Sequence, residues 1–243
     1  AEAENEPVII QLYMRLFDTG KAYDLCGTLQ RLAYRGKVPV ALHLDHGSTV
    51  KQAKDALAWG YTSVMYDGSR DSYEDNVKWT KHVADYAHAL GATCEGEIGH
   101  VGSAQAGDDR NGIYTSVEEA VDFQTKTGVD ALAVSIGTAH GYYKAEPKLD
   151  IPRCAAIADA IPEVPLVLHG GSGTPLADVR RAIESGIAKV NIATEFLDTY
   201  IKSTLKVYGD LNGAFVPPDK LADPIIDECA AHVQRLIKFF SGR

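Results

Sequence analysis

The chain has 243 residues, long for an ordinary domain but the length of one α/β barrel, so residues 1–243 are read as a single domain. Its 33 acidic and 24 basic residues give a formal net charge of -9, which argues against nucleic-acid and anionic-membrane partners and means that any phosphate must be bound locally. Four widely spaced cysteines (Cys26, Cys94, Cys154, Cys229) without a CxxC pair are those of a reduced cytoplasmic protein, and neither a membrane span nor a secretory leader is visible.

Residues 1–6 read as the end of a helix, and a first strand falls at 8–11. A second strand, 38–44, is entered through Val38-Pro39, where proline stops the preceding segment. Then a unit repeats in which an amphipathic stretch ends at glycine and a short apolar run follows. Gly60 precedes 63–66, Gly91 precedes 93–97, Gly128 precedes 131–136 and Gly186 precedes 188–191, while 164–169 is entered through Pro162 and Pro165. Between these strands, Ser72 with Asp75 and Ser116 with Glu119 have capping-box spacing, and Thr174-Pro175 places proline at the first helical position. Val83, Ala87 and Leu90 share one helical face, as do Leu176, Val179 and Ile183. Ile226, Cys229, Val233, Leu236 and Phe240 mark an extra helix over 223–240.

Strands alternating with helices imply parallel pairing. Seven strands fall one short of a closed (β/α)8 TIM barrel, so the expectation is a barrel whose first strand, with its helix roughly 25 to 35 residues, precedes the sequence. A doubly wound open sheet would tolerate seven strands.

The strand ends favour the barrel. In chain order they carry Asp45-His46, Asp67, Glu97, His140, His169 and Asn191, a polar ring at the face where barrels place catalysis. Three imidazoles, His46, His140 and His169, suit a catalytic zinc, which takes three protein ligands and keeps one position open. His43 lies within a strand and reads as a packed supporting residue; His82, His88, His100 and His232 receive no metal role. The last two strand ends lead into His169-Gly170-Gly171-Ser172-Gly173 and Asn191-Ile192-Ala193-Thr194, whose backbone N–H groups and hydroxyls can hold a phosphate dianion without net positive charge.

The segments LHLDHGS (42–48), VMYDGS (64–69), GEIG (96–99), SIGTAHGYYKAEPKLD (135–150), VLHGGSG (167–173) and KVNIATE (189–195) resemble class II fructose- and tagatose-bisphosphate aldolases, from residue 8 nearly to the C-terminus. The resemblance implies reversible, zinc-dependent cleavage of fructose 1,6-bisphosphate, tagatose 1,6-bisphosphate or a related ketose 1-phosphate to dihydroxyacetone phosphate and an aldehyde such as glyceraldehyde 3-phosphate, as in glycolysis. It implies that His46, His140 and His169 bind Zn2+, that Asp45 moves the proton of the hydroxyl where cleavage begins, and that Asp67 and Glu97 surround a second or alternative metal position. Gly141, Lys144, Gly170, Gly171, Ser172, Asn191, Ala193 and Thr194 would hold dihydroxyacetone phosphate, with a monovalent cation (Na+ or K+) beneath its phosphate. The family resemblance and the extra C-terminal helix favour a homo-oligomer, a dimer or tetramer.

The chain departs from the family in three places. Where the family has a small hydroxyl residue after the strand at 8–11, this sequence has Leu12-Tyr13-Met14, and residues 15–21 are unlike the family. The glycine-rich loop 98–114, a lid in the family, is short and lacks an evident carbon-protonating glutamate; Asp108 and Asp109 stand nearest to that role. The family's opening strand is absent. Two other functions compete. One is a Schiff-base aldolase using Lys189, which shares strand parity with Asn191; the other is a sugar-phosphate binding barrel without turnover.

Overall fold

The computed structural model describes residues 1–99, 114–139, 141, 143 and 147–242. After a 3-10 turn at Glu2–Glu4 come β1 (Val8–Tyr13), α1 (Arg15–Asp18), α2 (Lys21–Arg35), β2 (Val40–Gly47), α3 (Val50–Ala58), β3 (Ser63–Tyr66), α4 (Tyr73–Ala89) and β4 (Thr93–Ile98). Then follow α5 (Val117–Thr127), β5 (Ala131–Val134), α6 (Ile151–Ala160), β6 (Leu166–Leu168), α7 (Leu176–Glu184), β7 (Ile187–Val190), α8 (Thr194–Asp210) and α9 (Pro218–Phe240).

Helix starts follow local chemistry. Ser116 closes a full capping box with Glu119, and the Ser72 hydroxyl accepts from the Asp75 N–H. Pro175 lies one residue outside α7 with an extended ψ of 127°, so Leu176, not Pro175, opens that helix. The last helix begins at Pro218 rather than at 223, because Pro217 and Pro218 end the preceding segment and preset helical φ; Pro224 is accommodated in its first turns. Three residues expected on buried faces are exposed: Leu90, at the C-cap of α4, Leu176, at the first position of α7, and Ile226, whose neighbour Ile225 turns inward instead.

Every strand pair is parallel and the order is β1 to β7 in sequence, without the reversal that defines a doubly wound sheet. The sheet curls. His43 of β2, Glu95 of β4 and Lys189 of β7 are not on neighbouring strands, yet their side chains meet on its inner face. The outer face packs against the helices through alternate residues such as Leu42, Leu44, Cys94, Leu166 and Leu168, joined by Phe123 of α5 and Ile157 of α6. This is a TIM-barrel-like α/β fold carrying the seven strands counted from the sequence; an eighth strand is not among the described residues.

Candidate active site

The site begins with an irregularity in β2. Leu44 pairs with Val64 and Gly47 with Tyr66, so three steps along β2 match two along β3. The extra residue falls at His46, whose φ of +53° is left-handed, a conformation costing a non-glycine residue about 1–3 kcal/mol. The bulge turns two consecutive side chains, Asp45 and His46, toward the same cavity of about 620 Å3 at the strand ends.

His46 and His169 meet there. His46 Nε2 lies 2.8 Å from His169 Nδ1, and both side chains are buried. The outer nitrogen of each ring is held by a carboxylate: His46 Nδ1 is 2.7 Å from Asp67 Oδ2, and His169 Nε2 is 2.8 Å from Glu95 Oε1. Glu97 Oε2 stands 3.6 Å from His169 Nδ1 and 3.9 Å from His46 Nδ1. Burial opposes a charge on His46, but the bond to Asp67 and the charges of Asp45 and Glu97 prevail and raise its pKa to about 9. Burial lowers the pKa of His169, against the pull of Glu95. Asp67 remains ionised far below the usual carboxylate range: burial opposes this, but the bonds with His46 and Ser69 prevail.

This donor set fits a divalent cation. Two imidazole nitrogens face one another with their outer nitrogens fixed by carboxylates, the arrangement that orients metal-binding histidines. Ligand atoms of Asp45, His46 and His169 lie within 4.8 Å of one another, as do those of His46, Asp67 and Glu97.

Beneath the histidines lies an ionic floor. Glu95 Oε2 accepts from Lys189 Nζ at 2.8 Å and faces His43 Nε2 at 3.6 Å, while His43 Nδ1 bonds the Ser63 hydroxyl at 2.8 Å. Glu95 is ionised despite burial because Lys189 and His169 compensate it, and burial together with the Lys189 charge pushes the His43 pKa down to about 3. Glu95 was not singled out from sequence. Its signal was there: Glu95 and Glu97 are two residues apart on one strand and so share a face, and two buried carboxylates on one strand require partners.

Asn191 connects the histidine pair to Asp45, its Nδ2 lying 3.2 Å from both Asp45 Oδ1 and His169 Nε2. Beside it the loops after β6 and β7 form a cradle. The Ser172 hydroxyl accepts from the Ala193 N–H at 3.1 Å and from the Glu195 N–H at 3.4 Å, so an oxygen already occupies the N-terminus of α8. Tyr143, also missed from sequence, accepts from the Ala139 N–H and donates to the Gly170 carbonyl, both at 2.8 Å, tying the loops after β5 and β6 together. Gly170 has a φ of +66°, and a Cβ there would stand 2.5 Å from the Ala139 carbonyl oxygen. Gly170→Ala is thus expected to lose about 1–2 kcal/mol from backbone conformation alone, and more from displacing that carbonyl. Thermal unfolding measures the loss; an unchanged midpoint would show that the loops yield.

Of the residues expected at the site, Asp45, His46, Asp67, Glu97, Gly141, Gly170, Ser172, Asn191, Ala193 and Thr194 line the cavity, and His169 contacts His46 and Asn191 just behind it. Gly171 donates its N–H to the Asn191 carbonyl. His140 and Lys144 lie outside the described residues, as do His100, Asp108 and Asp109 of the expected lid.

Comparison with known proteins bears on this site. All of residues 1–243 match the family described as Fructose-bisphosphate aldolase class-II. The chain is 41% identical over 250 residues to 6-phospho-5-dehydro-2-deoxy-D-gluconate aldolase of Shouchella clausii (strain KSM-K16), covering 100% of this chain and 83% of that protein. It is 43% identical over 198 residues to sulfofructosephosphate aldolase of Alkalicoccus urumqiensis, covering 80% of this chain and 69% of the relative. Among solved structures, the YdjI aldolase from Escherichia coli K12 superposes with a TM-score of 0.85 at 33% identity, over 99% of this chain and 84% of that one.

Proposed function

The chain belongs to the class II fructose-bisphosphate aldolase family and is a lyase, and from that premise we propose that it cleaves a ketose 1-phosphate to dihydroxyacetone phosphate and an aldehyde with the help of bound zinc. The observation that carries this reading is the facing pair His46 Nε2 and His169 Nδ1, each ring backed by a carboxylate and both beside Asp45. His140 completes the ligand set by family resemblance. Zinc, when bound, supplies Lewis-acid polarisation of the ketose oxygens. The remaining work falls to side chains. Asp45, steadied by the Asn191 amide, takes the proton of the hydroxyl at which the carbon–carbon bond opens. Ser172, Asn191, Ala193 and Thr194, with Gly141, Gly170, Gly171 and Lys144, hold the phosphate of the three-carbon half, and a monovalent cation beneath it belongs to the same proposal. Asp67 orients His46, and with Glu97 it offers a second position for a divalent ion.

The substrate class is wider than fructose and tagatose bisphosphates, since the two relatives are named for a phosphorylated dehydrodeoxygluconate and for sulfofructose phosphate. The Schiff-base alternative loses its lysine: Lys189 Nζ is committed to Glu95 in an ion pair at the barrel floor. An exposed apolar row on α8, Leu197, Ile201, Leu205 and Tyr208, supports a homo-oligomer, which light scattering would test. No described helix is long and apolar enough to cross a membrane. The deciding experiment is chelation followed by zinc addition. Formation of dihydroxyacetone phosphate from a ketose phosphate should stop and then return, whereas activity surviving rigorous metal removal would sink the metal reading and bring Lys189 back.

A further inference from the structure

We propose that Lys189 is a positioning residue for the metal site: it anchors Glu95, and Glu95 fixes the orientation of His169 and with it the strength of zinc binding. The proposal rests on the zinc-dependent reading and deepens it, giving a task to buried charges that no step of the cleavage uses.

Glu95 belongs to β4 and Lys189 to β7, while His169 directly follows β6. The carboxylate divides its oxygens between them. Oε1 lies 2.8 Å from His169 Nε2, and Oε2 accepts from Lys189 Nζ at 2.8 Å. A histidine ring that gives Nδ1 to a cation carries its proton on Nε2, and Glu95 Oε1 is an acceptor within reach of that proton. The other oxygen is held by the lysine. His43 Nε2 stands 3.6 Å from Oε2, beyond hydrogen-bond distance, and its Nδ1 is taken by Ser63. Among the described residues, Lys189 is thus the one lysine or arginine bonded to Glu95.

Small residues let this chain of contacts cross the barrel interior. In register, Glu97 pairs with Ala133, Ala133 with Val167 and Val167 with Lys189, so these side chains share the inner face on which Glu95 also lies. Alanine and valine between β4 and β7 leave the space in which the long glutamate and lysine side chains meet. Their side chains are only 3% and 11% exposed, so this pair is little screened by solvent. Without Lys189 the carboxylate loses the donor on Oε2 and is free to turn toward His43 and away from His169.

The test is zinc affinity, measured by competition with a chelating dye, in Glu95→Gln, Lys189→Met and the double variant, each checked for folding by circular dichroism. Both single variants should bind zinc roughly 10–100-fold more weakly than wild type, the range for losing an outer partner of a ligating histidine. The double variant should bind no more weakly than Glu95→Gln, because a lysine that acts through Glu95 then has nothing left to hold. In zinc-loaded protein carrying 15N-labelled histidine, the Nε2 proton resonance of His169 should shift in Lys189→Met, whereas a merely structural role for the lysine would leave it in place. Should Lys189→Met not fold, Lys189→Gln, uncharged but still polar, takes its place. Unchanged zinc affinity in either folded single variant, or losses that multiply in the double variant, overturns the assignment and leaves the aldolase reading standing. A wild type that holds no zinc overturns both.

Discussion

His169→Ala is expected to yield a folded protein that no longer retains zinc. His169 is fully buried, with Nδ1 turned to His46 Nε2 and Nε2 fixed on Glu95, so its removal deletes one nitrogen of the facing pair outright. A catalytic zinc site rests on three protein ligands, and two are too few to hold the ion. His46→Ala should fail in the same way, and because alanine keeps a Cβ the left-handed strain at the bulge stays in place. Asp67→Asn separates orientation from ligation. If Asp67 acts through His46, its loss should weaken zinc binding by about 10–100-fold without abolishing it. Metal content by mass spectrometry, with circular dichroism as the check on folding, reads all three variants. The space left by His169 lies against Glu95, which retains Lys189 as a partner, so the fold should survive. Stoichiometric zinc in folded His169→Ala would remove that residue from the ligand set.

Much of the architecture was legible because each strand is announced by a glycine or proline just before it and every strand after the first leads into a candidate functional side chain. Asp45, Asp67, Glu97, His169 and Asn191 could be placed at the barrel mouth by counting strand ends alone. Depth along the strand was harder to read. The interior contains an ionic layer, His43, Glu95 and Lys189, one step below the mouth, and it arises from the closure of non-neighbouring strands, which no local pattern records. The bulge at His46 was equally invisible. Adjacent residues on a regular strand point to opposite faces, so Asp45 and His46 can share one cavity only through the shift in register that pairing with β3 reveals. Leu90, Leu176 and Ile226 fit the apolar period yet lie exposed, because periodicity identifies a face but not whether a neighbour covers its ends.

Asp45→Asn, in contrast to the histidine variants, is expected to keep its zinc and to bind dihydroxyacetone phosphate while cleavage falls by about 10²- to 10⁴-fold, the range for a lost general acid or base. Its side chain is mostly buried, with Oδ1 3.2 Å from Asn191 Nδ2 and 4.0 Å from His46 Nε2. Asparagine is nearly isosteric, and its Oδ1 can still accept from Asn191, so neither the cradle nor the histidine pair should move. What disappears is the capacity to take a proton. The hydroxyl in question belongs to the aldehyde half of the ketose, and dihydroxyacetone phosphate lacks it. Exchange of the carbon-bound hydrogen of dihydroxyacetone phosphate with solvent should therefore persist in Asp45→Asn even as cleavage fails. Measured together, cleavage, exchange and zinc content separate three roles. Loss of cleavage alone marks Asp45 as the hydroxyl base; equal loss of exchange and cleavage moves its action to the carbon; loss of zinc reduces it to support for His46.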